Sequence, residues 1–188
     1  MAQLDWGSWN NELMQQFPDL ESPLSDGIVS LRHFTLDDVA QVTRALQDPE
    51  IVRWTASLPT PYAESDARGW IERHSELWDS GTTAQFAIVD ANDGAFTGNI
   101  YVIVAPYMLG RAALGYWIAE WRRARGFATR ALVLASKWTF DVLHPPELFL
   151  ETLEGNVNSA TESPPRARRA DRRLCASDSG SWGLAPRR

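Results

Sequence analysis

The chain has one cysteine, Cys175, only three histidines and no long apolar run. A single cysteine excludes an intrachain disulfide and a cysteine metal cluster. His33, His74 and His144 are scattered, with no spacing that pairs two of them as metal ligands, so no metal is expected. A membrane helix needs roughly 18 consecutive apolar residues, and no segment approaches that, which excludes a spanning helix and a membrane partner of that kind. The opening residues, MAQLDWGSWNNELMQQF, lack a basic start followed by an apolar stretch and do not read as a secretory signal. A cytoplasmic protein is the expectation.

What is present describes a globular domain. The chain has 188 residues, 44% of them hydrophobic, with nine tryptophans spread along it. That length suits one domain with a real core. The net charge is −6, but it is unevenly placed: residues 1–160 carry 11 Lys and Arg against 21 Asp and Glu, a net of −10, and residues 161–188 carry 7 against 3, a net of +4. An acidic body argues against nucleic acid as a partner. It would suit a cationic substrate such as an amine.

The organisation follows from the hydrophobic period. Residues 1–26 form a polar N-terminal extension holding Trp6, Trp9, Leu13 and Phe17, which either packs against the domain as a short amphipathic helix or stays mobile. GIVSLRHF (27–34) alternates as a strand does. TLDDVAQVTRALQ then reads as a helix with Thr35 as N-cap and Asp37 and Asp38 in its first turn. DPEIVRWTASLPTPY is a short element followed by a proline-broken loop, and residues 63–81 form a second long helix ending at Gly81. TAQFAIVDA, AFTGNIYVIVAP and RAALGYWIA are strands, the first two joined through NDG, a hairpin signal. An apolar helix runs on to about Leu143, HPP stops it, and ELFLETLEGN is a further strand. The order β-α-α-β-β-β-α-β predicts an α/β fold of the α+β layer type.

Between the third of those strands and the long helix stands WRRARGFATRA, with Arg122, Arg123, Arg125 and Arg130 within nine positions. A helix N-terminus presents unpaired N–H groups and a partial positive charge, and a tight turn entering it converges them on one anion. Gly126 supplies the position without a side chain, Ala128 keeps the next turn small, and the arginines add charge and bidentate donors. A phosphate site is one reading of this stretch; a solvated arginine-rich cap is the other.

The surrounding motifs resemble the GNAT superfamily of acetyl-CoA-dependent N-acetyltransferases, in the ribosomal-protein alanine N-acetyltransferase (RimJ/RimL)-like branch. RARGFA fits that family's Arg/Gln-x-x-Gly-x-Gly/Ala turn at Arg123, Gly126 and Ala128, with Ala124 where many relatives carry glycine. LGYWIAE resembles its fourth strand, and LEGNVNS its fifth-strand exit, as Asn-x-x-Ser at Asn156 and Ser159. The resemblance covers residues 27–160. It implies a GNAT-like mixed, mainly antiparallel sheet flanked by helices. It also implies that the backbone of Arg123, Ala124, Arg125, Gly126, Phe127 and Ala128 holds the diphosphate of acetyl-CoA, with Ile118 facing the pantetheine and acetyl carbonyl and Asn156 binding the pantetheine. The resemblance further implies that acetyl passes directly to a primary amine, either a protein N-terminal amine or a small cationic, aminoglycoside-like compound. A homodimer is a further expectation from the family.

Direct attack leaves two protons to be moved. The resemblance implicates Ser159 in protonating the departing sulfur; Ser159 equally suits an N-cap. Glu120, at the strand end beside the turn, is the candidate base, with Glu151 and Glu154 as further carboxylates; each also reads as a plain surface residue. His74 could border the acceptor side or be a solvated helix histidine.

Residues 161–188 break the pattern. They are rich in arginine and proline, contain no isoleucine, valine or phenylalanine, and show no period. On composition they form a disordered tail, resembling translation in a shifted frame, where the family has a helix and two last strands. The expectation is a domain lacking those elements, with an inactive CoA-binding remnant as the rival to an active enzyme.

Overall fold

The computed structural model describes residues 16–55, 58–105, 108, 111–150, 174–176 and 182–184, the last two as backbone strands. A two-residue strand β1 (Leu24–Ser25) pairs with β2 (Val29–Arg32), whose side chains alternate between buried and half-buried as the sequence predicts. The exit from β2 is fixed by Asp38. Its carboxylate accepts from the Thr35 N–H at 2.9 Å and from both terminal nitrogens of Arg32 at 2.7 and 2.8 Å. After one 3-10 turn comes α1 (Val39–Ala45). Asp48 then caps α2 (Pro49–Trp54), accepting from the Glu50 N–H at 2.9 Å, and Pro49 fills the first position, where a missing N–H costs nothing. Helix α3 (Glu64–Asp79) stops where predicted. Gly81 turns left-handed (φ +65°), and the N–H groups of Gly81 and Thr82 return to the carbonyls of Trp78 and Leu77 at 3.0 and 3.2 Å.

Strands β3 (Thr83–Asp90), β4 (Phe96–Val104) and β5 (Arg111–Ile118) form an antiparallel meander, and α4 (Phe127–Leu143) crosses back to β6 (Glu147–Leu150). His144 (φ +48°) ends α4, ahead of Pro145 and Pro146, which cannot continue a helix. The sheet follows chain order, and every pairing is antiparallel except the parallel β5–β6 pair. This is the mixed, mainly antiparallel sheet expected.

Two apolar layers sandwich it. One face carries Leu31, Phe86, Ile88, Ile100, Val102, Leu114 and Ile118 against Phe127, Ala128, Ala131, Ala135 and Trp138 of α4. On the other, Val39, Val42, Ile51, Ala67 and Ile71 of α1 to α3 cluster with Ala87, Phe96 and Ala119. Phe17, within the predicted extension, is buried edge-on between Trp78 and Trp138, at 5.5 and 5.8 Å between ring centroids. The packed body therefore starts before residue 27. No described helix is long and apolar enough to cross a membrane.

The sequence pattern leaves the sheet without its last two strands. The structure instead sets two three-residue strands beyond β6: β7 (Leu174–Ala176), antiparallel to β6, and β8 (Trp182–Leu184), antiparallel to β7. A strand edge offers unpaired N–H and C=O groups that any extended segment can meet, so pairing there needs none of the hydrophobic alternation that sequence reading looks for. The rest of 151–188 lies outside the described residues.

Candidate active site between β5 and α4

The turn from β5 to α4 contains two left-handed residues, Ala124 (φ +60°) and Gly126 (φ +77°). Alternating hands of this kind point successive N–H groups to one side, making an anion-binding concavity. The first hydrogen bond of α4 runs from the Arg130 N–H to the Gly126 carbonyl at 3.2 Å. Among the described residues, the N–H groups of residues 124–128 have no acceptor. Five adjacent donors thus lie unused at the entrance of a 17-residue helix. Glycine is needed at 126 for its φ rather than for room, since a Cβ there would meet nothing within 4 Å.

The arginines behave differently from the sequence expectation. Arg123 donates through Nε to the Ile118 carbonyl at 3.1 Å and pairs through its terminal nitrogen with Asp48, the cap of α2. Arg122 lies 3.6 Å from Asp90 and 3.8 Å from Asp93, at the β3–β4 hairpin. Arg130 reaches Asp26, beside β2, at 2.7 Å. Three of the four guanidiniums therefore anchor the turn to separate parts of the body instead of converging as ligands. Arg125 alone is exposed without a hydrogen bond or ion pair among the described residues. Its field, with that of Arg122, helps hold Asp90 below the usual carboxylate range, after the larger effect of the Asn92 N–H. Trp121 adds an apolar anchor, with the Arg44 guanidinium 4.2 Å above its ring.

Beside the turn, the described pairing of β5 with β6 runs from Arg111 and Glu147 to Leu114 and Leu150, the last described residue of β6, so Gly115 to Ile118 have β4 as their only described strand neighbour. The antiparallel ladder decides which groups of β5 point away from β4. Ala119 donates to the Thr97 carbonyl at 2.9 Å, so the alternate residue, Ile118, turns its N–H and C=O away from β4. The carbonyl accepts from Arg123, and the N–H has no acceptor among the described residues. Among the described residues, donors without an acceptor thus occur both at Ile118 and at the turn. An extended amide-bearing chain ending in a diphosphate fits that sequence of groups.

Of the predicted chemical residues, Glu120 is exposed in a 3-10 turn (Glu120–Arg122), where its carbonyl accepts from the Arg123 N–H at 3.3 Å. Asn156, Ser159, Glu151 and Glu154 lie outside the described residues. His74 is not a solvated helix histidine. It is 9% exposed, wedged against Trp70 and Phe34, and both ring nitrogens lack partners. Burial, then the charges of Arg73 and His33, push its pKa down to about 4. Among the described residues no group of three His, Cys, Asp or Glu could hold a metal.

Sequence reading missed Asp48, which fixes Arg123, and two amide side chains in the sheet. Asn99 on β4 is 2% exposed with Oδ1 unpartnered, and the buried Oε1 of Gln85 on β3 has no partner either. The signal for Asn99 was there: a polar residue inside the apolar run FTGNIYVIV.

Comparison with known proteins identifies the family and the fold. The acetyltransferase (GNAT) domain family matches residues 29–161. A putative ribosomal-protein-serine acetyltransferase from Vibrio cholerae superposes with a TM-score of 0.66 at 18% identity, covering 76% of this chain and 80% of that one. RimJ of Mycobacterium smegmatis, solved in complex with CoA-disulfide, gives 0.64 at 23% identity over 75% and 71%. The microcin C7 self-immunity acetyltransferase MccE, solved with acetyl-CoA and AMP, gives 0.64 at 16% over 74% and 77%. No curated protein sequence matches the chain.

Proposed function

This chain belongs to the GNAT acetyltransferase family, and we propose that it moves the acetyl group of acetyl-CoA onto a protein N-terminal amine by direct attack. The observation that carries the donor half is the row of unused N–H groups from Ile118 to residues 124–128. In this reading the amides of residues 124–128 hold the diphosphate, Arg125 adds its charge, and Arg123 works by position, tying the gap edge at Ile118 to the turn. The Ile118 N–H stabilises the carbonyl oxygen as negative charge develops on it. Asn156 binds the pantetheine, Ser159 protonates the departing sulfur, and Glu120 accepts the amine's proton through water. No covalent enzyme intermediate is needed, and Cys175 takes no part.

The GYW strand, and structural neighbours that include a putative ribosomal-protein-serine acetyltransferase and RimJ, support this choice of acceptor. A small cationic amine is the alternative within the same chemistry. The unpatterned segment 161–188 favours one rival, a chain that binds CoA without turning it over.

Calorimetric titration with acetyl-CoA, beside a Gly126→Glu variant, tests the donor half. Micromolar binding that the variant loses supports the site, and a folded protein that does not bind overturns it. Turnover with peptides bearing a free N-terminal alanine or serine separates the enzyme from the remnant.

A further inference from the structure

We infer that Gly98, on β4, is a positioning residue for acetyl transfer: its missing side chain seats the Trp117 carbonyl against β4 and thereby aims the Ile118 N–H at the acyl oxygen. The inference rests on the reading of Ile118 given above and names what holds that donor in place.

One peptide unit carries both groups. The Trp117 carbonyl and the Ile118 N–H belong to the same planar, trans amide, so they point in opposite directions and turn together. Asn99 pairs with Trp117, and Gly98 with Ile118. The Ala119 N–H donates to the Thr97 carbonyl at 2.9 Å. By the alternation of the ladder, Trp117 turns its carbonyl toward β4 and Ile118 turns its N–H away. The direction of that N–H is therefore set from the β4 side.

Space at Gly98 decides how closely the carbonyl end can seat. A Cβ there would lie 2.2 Å from the Trp117 oxygen, 3.1 Å from the Ile118 Cα and 3.2 Å from the Trp117 carbonyl carbon. All three are backbone atoms, which cannot step aside as the tip of a side chain does. Gly98 does not adopt a left-handed φ, so glycine stands here for room alone, the converse of Gly126.

A bulge stands at the same place. Ile88 pairs with Gly98 but Val89 with Phe96, so β4 carries one residue more than β3, at Thr97. Bulges bend a strand and occur often beside active sites. Thr97 is fully buried, and its carbonyl is the one that holds Ala119. The amide on the far side of Ile118 is fixed as well, since its carbonyl accepts from Arg123 Nε at 3.1 Å. Ile118 thus has a backbone contact holding the amide before it and two hydrogen bonds holding the amide after it.

This arrangement matters at one moment of the reaction. The amine lone pair forms the N–C bond, and the carbonyl electron pair moves to the oxygen and returns as the C–S bond breaks. One amine proton is released and the thiolate takes up a proton, giving the acetylated amine and CoA. A donor already aimed at the oxygen needs no reorganisation when the charge appears, and a misaligned one weakens steeply. Alanine at 98 pushes the Trp117 oxygen off β4 and swings the Ile118 N–H with it. Gly98 itself touches no reacting atom.

The test follows the thioester stretch of acetyl-CoA, isotope-labelled at the acetyl carbonyl, by infrared difference spectroscopy on the full chain. Calorimetry and turnover of a tripeptide with a free N-terminal alanine accompany it. A carbonyl that accepts a fixed hydrogen bond stretches at lower frequency, and the wild type is expected to show that lowering. Gly98→Ala is expected to lose it, with kcat reduced about ten- to a hundredfold and the acetyl-CoA Kd changed less than about twofold, because the turn that holds the diphosphate is untouched. Gly115→Ala is the control: its new Cβ meets the Tyr101 ring rather than backbone, and it should keep the lowering. A lowering that Gly98→Ala retains, or that both variants lose alike, overturns the role of Gly98 and leaves the donor reading standing. A wild type that binds acetyl-CoA without lowering its stretch overturns Ile118 as the donor. If Gly98→Ala does not fold, NMR relaxation of the wild-type Ile118 amide decides: an order parameter of about 0.85 before ligand is added supports a donor held in place, and one below about 0.6 overturns it.

Discussion

Arg123 and Asp48, 75 residues apart, form an ion pair that joins the β5–α4 turn to the N-cap of α2. The same guanidinium holds the Ile118 carbonyl, so one side chain sets the end of β5 and the turn relative to the helical layer. Asp48→Asn separates that tie from capping, because asparagine caps a helix about as well as aspartate. The expected result is an acetyl-CoA Kd raised about three- to tenfold, with α2 intact by circular dichroism. A tie lost at a partly buried site is commonly worth about 1 kcal/mol. An unchanged Kd would show that the turn holds its shape without Arg123.

Ala124 gives the opposite kind of test. At φ +60° its Cβ is strained, by roughly 1–2 kcal/mol for an L-residue in the left-handed region. Glycine removes that strain and costs about 0.5–1 kcal/mol in chain entropy. Ala124→Gly should therefore raise the midpoint of thermal unfolding by a few degrees, and Gly126→Ala, at φ +77°, should lower it. Differential scanning calorimetry on the pair checks both signs. A destabilising Ala124→Gly would mean that the turn is not left-handed there.

How far the sequence carries the argument depends on the range of each interaction. The β5–α4 turn was legible because its ingredients are local: a glycine, a small residue and a helix start within six positions. The roles of the arginines were not. Arg130 meets Asp26 across 104 residues and Arg123 meets Asp48 across 75, and no local pattern encodes such partners. An arginine cluster looks like a phosphate clamp until the folded chain supplies the carboxylates. His74 fails for a related reason. On a helical wheel it is one more polar residue of α3, and the packing of Phe34, from the loop after β2, together with Trp70 buries it.

Gly115 tests the register of the sheet. Its hypothetical Cβ falls 2.2 Å from the Tyr101 Oη and 2.7 Å from a ring carbon, so alanine must displace the ring. Overpacking of this kind costs typically about 1–3 kcal/mol. Gly115→Ala should lower the urea midpoint, and adding Tyr101→Leu should recover most of the loss. Additive penalties in the double variant would place the tyrosine ring elsewhere.

His74 makes stability depend on pH in a window set by its own titration. Burial pushes the folded pKa down to about 4, from an ordinary value of 6.5. Between those values the unfolded chain binds a proton that the folded chain refuses, so stability falls as pH drops from about 6.5 to about 4. Above the window both states are neutral and the effect vanishes; below it the loss is complete. A shift of this size corresponds to roughly 3 kcal/mol. His33, also lowered by burial, contributes in the same direction. His74→Leu replaces two unpartnered ring nitrogens with an apolar side chain among Phe34, Trp70 and Ile71. Urea unfolding at pH 7, 5.5 and 4.5 should show a steep decline for the wild type and a shallower one for the variant, with little lost at pH 7. Parallel declines would mean that the imidazole is reached by solvent and charges freely in the fold.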